Sequence, residues 1–119
     1  MTESPESCAL ADGVCEPCRG GVPPLTEAER APLLAQLDHW QVIDGHHLRK
    51  EIAFPDFASA LAYVNRVGAL AEKNGHHPDL YLAWGKVRIE LWTHKIDGLT
   101  RSDFVLAAQC DRALTASGG

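Results

Sequence analysis

Apolar positions recur along this chain in two periods, and the places where the period changes mark out its elements. Phe57, Ala60, Leu61, Val64, Val67, Gly68 and Ala71 follow the 3.6-residue period of one buried helical face. Asp56, after Pro55, is the N-cap expected at the start of that helix, and Asn74-Gly75 suits a left-handed C-cap at its end. Two other stretches alternate instead. In residues 47–54, Leu48, Lys50, Ile52 and Phe54 share one face, and His47, Arg49, Glu51 and Ala53 the other. In residues 87–93, Val87, Ile89, Leu91 and Thr93 alternate with Arg88, Glu90, Trp92 and then His94. Each has a shorter partner across a turn. Gln41-Val42-Ile43 precedes Asp44-Gly45, which suits a type I′ turn, and residues 80–84 precede Gly85-Lys86, which suits type II′.

Two more helices flank these hairpins. Thr26 with Glu29 forms a capping box, Leu25 serves as a hydrophobic staple, and Leu33, Leu34 and Leu37 extend an apolar stripe up to Trp40. Pro32 lacks the N–H that would bond to the Ala28 carbonyl, so a kink or a restart is expected there. Thr100 with Asp103 forms a second capping box before a helix over 101–114 that buries Phe104, Ala107, Ala108 and Leu114, with Cys110 as a small hydrophobe. The order is helix, hairpin, helix, hairpin, helix. That predicts an α+β two-layer domain over residues 25–116, a four-stranded antiparallel sheet with three helices on one face. Dimerisation through a sheet edge is one way to protect what the helices leave uncovered.

Composition narrows the function classes. With 119 residues the chain is one domain, 45% hydrophobic and 23% charged. Sixteen acids against eleven Lys and Arg, with no basic face, argue against nucleic acid as a partner. No apolar run approaches a membrane span and no signal-peptide core opens the chain, so a cytoplasmic protein with reduced thiols is expected. Residues 1–24, rich in Pro, Gly, Ser and acids, are expected to form a flexible arm. The arm holds Cys15-Glu16-Pro17-Cys18 with Cys8 upstream, but a zinc site wants a second close pair. A thioredoxin-like site belongs between a strand and a helix.

The chemistry concentrates in residues 72–103, which hold His76, His77 and His94 with Glu72 and Asp103 at the ends. Adjacent histidines before a proline, just past a helix end, line a pocket better than they build a core. Glu72 falls in the last turn of its helix, where the dipole disfavours a carboxylate. That hints at function, with a surface ion pair to Lys73 or Arg66 as the plainer explanation. His46 and His47, beside the first hairpin turn, read as solvated surface histidines. Three jobs are open to the main set. A metal site over His76, His77 and His94 is handicapped because neighbouring residues in extended chain point apart. Nucleophilic catalysis lacks a recognisable nucleophile turn. General acid–base catalysis on a small, flat heterocycle fits best, since imidazoles divide donor and acceptor roles near neutral pH.

The spacing Glu72, three residues, His76-His77-Pro78, five residues, Trp84, nine residues, His94, eight residues, Asp103 resembles the signature of the pterin-4a-carbinolamine dehydratases. The resemblance covers residues 25–115 and extends to the Leu-rich first helix, the Gly-Leu-Thr turn before the last helix, and an arm like that of bacterial members. It implies dehydration of 4a-hydroxytetrahydropterin, left by an aromatic amino acid hydroxylase, to quinonoid dihydropterin, with no metal or organic cofactor. It further implies His76 and His94 as the acid–base pair, His77 as a catalytic residue that also orients the pterin, and Glu72 and Asp103 in support. Trp40, Pro78 and Trp84 would shape the pterin pocket, and a homodimer or homotetramer is expected. The same fold family includes a dimerisation cofactor of a homeodomain transcription factor and Rubisco assembly factors. The complete histidine set favours the enzyme over those binding roles.

Overall fold

The sheet is organised around its two central strands, β2 and β4, because their alternation gives one face that is apolar except for Lys50. The computed structural model describes Leu10 and residues 23–116. In chain order the elements are α1 (Glu27–Leu34), β1 (Gln41–Ile43), β2 (His47–Ala53), α2 (Phe57–Asn74), β3 (Asp79–Ala83), β4 (Lys86–Leu91) and α3 (Arg101–Ala116). The strands lie in the order β1-β2-β4-β3, every neighbour antiparallel. Pairing Leu48 with Leu91, Lys50 with Ile89 and Ile52 with Val87 puts all six on the face that the helices cover. The other face carries cross-strand ion pairs, Arg49–Glu90 and Arg88–Glu51, each at 3.0 Å. This is the expected α+β two-layer architecture.

Caps set the helix limits largely as the local residues dictate. Thr26 and Glu29 form the reciprocal box at the start of α1. The helix runs through Pro32 but stops at Leu34, short of the expected Trp40. Looser turns follow, with the Gln36 and Leu37 amides donating to the Leu33 and Leu34 carbonyls, and His39 at φ 63° turns the chain toward β1. In α2, Asp56 accepts from the Ser59 amide and Gly75 closes the helix at φ 64°. Its buried stripe is narrower than predicted and rotated: Ala60, Tyr63, Val67 and Ala71 face in, while Phe57 and Leu61 are exposed. Tyr63 is drawn in because its hydroxyl finds an acceptor, the Cys110 carbonyl, at 2.8 Å.

Two turns differ in detail. Asp44 and Gly45 both take positive φ, as type I′ requires, and the His46 amide closes on the Ile43 carbonyl. The second hairpin turns at Trp84-Gly85, one residue earlier than expected, and neither residue has a positive φ. Gly85 is needed there for closeness: a Cβ would lie 3.0 Å from the Phe54 carbonyl, whose amide donates back to Gly85 at 2.8 Å.

The core is centred on α3, where Phe104, Val105, Leu106, Ala107 and Cys110 are all buried. Leu10 joins this cluster although it precedes the domain proper. Cys8, Cys15 and Cys18, and with them the expectation of a flexible arm, lie outside the described residues. Among the described residues, no helix is long and apolar enough to cross a membrane.

Candidate active site

The C-cap of α2 decides where the two adjacent histidines go. The Gly75 and His76 amides both return to the Ala71 carbonyl, and the reversal turns His76 into the protein and His77 out of it. His76 Nε2 lies 2.5 Å from Oδ1 of Asp103, which is completely buried near the start of α3. The second oxygen, Oδ2, accepts from the Thr93 hydroxyl and the Thr100 amide, each at 2.9 Å. Counting protons gives every bond a direction. A carboxylate only accepts, so Thr93 spends its proton on Asp103, and the Thr100 hydroxyl, 2.9 Å from Thr93 Oγ1, donates to Thr93. For the same reason His76 Nε2 carries a hydrogen and Nδ1 is the basic nitrogen of the neutral ring. The second capping box is therefore half made: Asp103 caps the Thr100 amide, while the Thr100 hydroxyl serves the Thr93–Asp103 relay.

His77 repeats the arrangement in the open. Its Nε2 lies 2.7 Å from Glu72 Oε2, and both side chains are largely exposed. This pairing, in place of an ion pair to Lys73 or Arg66, is what Glu72 does at an unfavourable helix end. His94 stands in the turn after β4, exposed, its ring edge-on to Trp92 at 4.5 Å. It follows Thr93, whose backbone pairs with Gly98 beyond the end of regular β4. Asp103 thus ties the loop of His76 to the strand end that bears His94. Pro78 is half-buried at the entry to β3, and Trp84 projects from the β3–β4 turn with 68% of its surface exposed. Trp40 is buried elsewhere, with Nε1 donating to Asp111 Oδ1 at 2.9 Å, and Lys50 Nζ reaching the same oxygen at 2.7 Å.

Sequence patterning paired Thr100 with Asp103 through the capping box but missed two links, Thr93 to Asp103 and the Thr100 hydroxyl to Thr93. Thr93 alone carried a signal, being the one hydroxyl at the end of an aliphatic strand face. His46 and His47 are also placed differently from expectation. Both are half-buried and pack on Trp92, at 5.3 and 5.7 Å between ring centroids. Burial lowers the pKa of His47 below the usual imidazole value; Glu90 opposes the shift, and His46 and Arg49 reinforce it. Among the described residues no group of three His, Cys, Asp or Glu side chains is placed to hold a metal ion.

Residues 23–113 match the family model described as pterin 4 alpha carbinolamine dehydratase. A protein of Rubrobacter xylanophilus, provisionally named pterin-4-alpha-carbinolamine dehydratase, is 55% identical over 103 residues, spanning 87% of this chain and 96% of its own. One of Alkaliphilus metalliredigens with the same provisional name is 54% identical over 104 residues, spanning 87% and 94%. Among solved structures, a transcriptional coactivator/pterin dehydratase from Brucella melitensis superposes with a TM-score of 0.72 at 33% identity, over 76% of this chain and 97% of that one. A pterin dehydratase-like protein described as a RuBisCO assembly factor in the alpha-carboxysome shares the fold, with a TM-score of 0.56 at 24% identity over 64% and 89%.

Proposed function

We propose, from the premise that this chain belongs to the pterin 4 alpha carbinolamine dehydratase family, that it dehydrates a 4a-hydroxytetrahydropterin. In this reaction the C4a–O bond breaks with its electron pair going to oxygen, which leaves as water once protonated. The proton on ring nitrogen N5 is removed and a C4a=N5 double bond forms, giving quinonoid dihydropterin. Hydroxide is a poor leaving group, so the step needs an acid at oxygen and a base at nitrogen. The observation that carries the proposal is the buried His76–Asp103 pair. A carboxylate on Nε2 leaves Nδ1 as a lone-pair base and stabilises the imidazolium that forms when it takes the N5 proton. His94, exposed at the strand end, is the complementary acid. His77, oriented by Glu72, holds the pterin from the solvent side, with Pro78 and Trp84 as apolar walls and Trp40 supporting the scaffold through Asp111. No cofactor enters this chemistry. The setting is cytoplasmic, and a homo-oligomer would cover the exposed Phe57 and Leu61 on α2.

The test is the dehydration rate of chemically generated 4a-hydroxytetrahydropterin, followed by ultraviolet absorbance. Wild-type protein is expected to exceed buffer, and His76→Ala and His94→Ala to lose about 10²–10⁴-fold with unchanged circular dichroism. Wild-type protein no faster than buffer would sink the enzyme. The alternative is a partner-binding role, favoured by the coactivator name of the Brucella melitensis structure and by the exposed Tyr81 and Trp84.

A further inference from the structure

Two of the three histidines that the proposed chemistry leaves unused, His46 and His47, gather at one end of the sheet around the ring that supports His94. His46 joins two turns. Its Nδ1 lies 3.1 Å from His47 Nδ1, and its Nε2 lies 2.8 Å from Oδ1 of Asp97 in the turn that carries His94. When both rings are neutral, one proton arrangement satisfies both bonds. With Asp97 accepting from Nε2–H, His46 Nδ1 accepts from His47 Nδ1–H, and His47 Nε2 becomes a bare lone pair. That nitrogen is buried without a hydrogen-bond partner, as this arrangement tolerates better than a buried N–H. Both rings also rest on the Trp92 indole, the ring that His94 meets edge-on.

The His94 turn needs such bracing. Asp97 sits at φ 57°, a left-handed conformation that side chains other than glycine seldom adopt. The turn is held by the Thr93 carbonyl, which accepts from the Ile96 and Asp97 amides at 3.1 and 2.9 Å. The His94 carbonyl accepts from the Asp97 amide at 3.2 Å, but no hydrogen bond joins its ring to the described residues, so the turn and the indole orient that ring.

We infer that His46 is a positioning residue for His94, fastening the 94–97 turn through Asp97 and bracing Trp92 together with His47. The inference rests on the acid–base role of His94 proposed above, and its test separates the two. His46→Ala is expected to lower kcat about tenfold with KM within about twofold, the pattern of a misplaced catalytic group. It should also move the NMR signals of the His94 ring protons away from the ring-current position that the edge-on indole imposes. His46→Gln, whose amide can still donate to Asp97, is expected to recover most of both effects. Unmoved His94 signals in His46→Ala overturn the inference, and so do moved signals with an unchanged kcat. The signals report the bracing whether or not the protein dehydrates pterins. A His94→Ala variant as fast as wild type would instead fail the acid–base role alone.

Discussion

Helix α3 carries two carboxylates, Asp103 and Asp111, that differ in what donates to them. They lie eight residues apart, roughly 12 Å along the axis at the α-helical rise. Asp111 receives the Lys50 ammonium, the Trp40 indole N–H and the Asp38 amide. None of these has a second nitrogen on which to take a proton during a reaction. They bind the core face of β2 and the approach to β1 onto α3. Asp103 receives an imidazole and a hydroxyl relay, and the imidazole keeps a basic nitrogen free. Asp103 is fully buried and Asp111 partly so, but what separates their functions is the donors' capacity to exchange protons.

Removing Asp111 should break the architectural half of this contrast and leave the chemical half alone. Asp111→Ala strands the Lys50 ammonium in the core, an uncompensated charge that costs about 3–5 kcal/mol in chemical denaturation. Folded variant should keep its dehydration rate within about twofold of wild type, because no proton moves there. A large loss of rate in well-folded Asp111→Ala would place Trp40 and Asp111 in the chemistry after all. Leu10 supplies an apolar control. It is buried in the core yet lies before the span that matches the family model, so Leu10→Ala should cost about 3 kcal/mol with the rate preserved. An unchanged denaturation midpoint would mean that this residue does not anchor the chain in solution.

The converse substitution, Asp103→Asn, should damage chemistry more than fold. An amide turned toward His76 Nε2 can donate as well as accept, which releases the tautomer that Asp103 enforces. The dehydration rate is expected to fall about 10²-fold, with KM little changed. If the rate holds while stability drops, Asp103 belongs with Asp111 as scaffold.

Much of this was legible before the structure because it depends on neighbours in sequence. The alternation in β2 and β4, the Thr26 and Asp56 caps and the Gly75 reversal are short-range effects, and the three histidines stood out by type and spacing. What patterning could not supply was register between strands that are not consecutive. Leu48 opposes Leu91, which sets His47 beside Trp92, and nothing local to either strand announces that pairing. The same limit hid the partners of Asp111, which lie 61 to 73 residues away. The first helix was overextended for another reason. Leu37 keeps the apolar spacing and packs against the core, yet it does so from turns that continue the helix loosely past Leu34.

The smallest expected effect concerns His47, and it sharpens the contrast by adding a contact that a proton can break. Burial, as the largest cause, holds its pKa below the ordinary value near 6.5; Glu90 and Asp44 pull upward, and His46 and Arg49 push down. A lowered folded pKa means that the native state takes up fewer protons than the unfolded chain. The stability due to neutral His47 is therefore complete above the ordinary value and is lost as the pH falls from there through the folded pKa. His47→Phe keeps a ring against Trp92 and removes the titration. Its melting temperature is expected to decline less steeply than that of wild type as the pH falls below 6.5. Asp111→Ala, which leaves His47 in place, should keep the wild-type slope in the same window. Parallel curves for His47→Phe and wild type would show that the imidazole is solvated after all, as its place beside a hairpin turn first suggested.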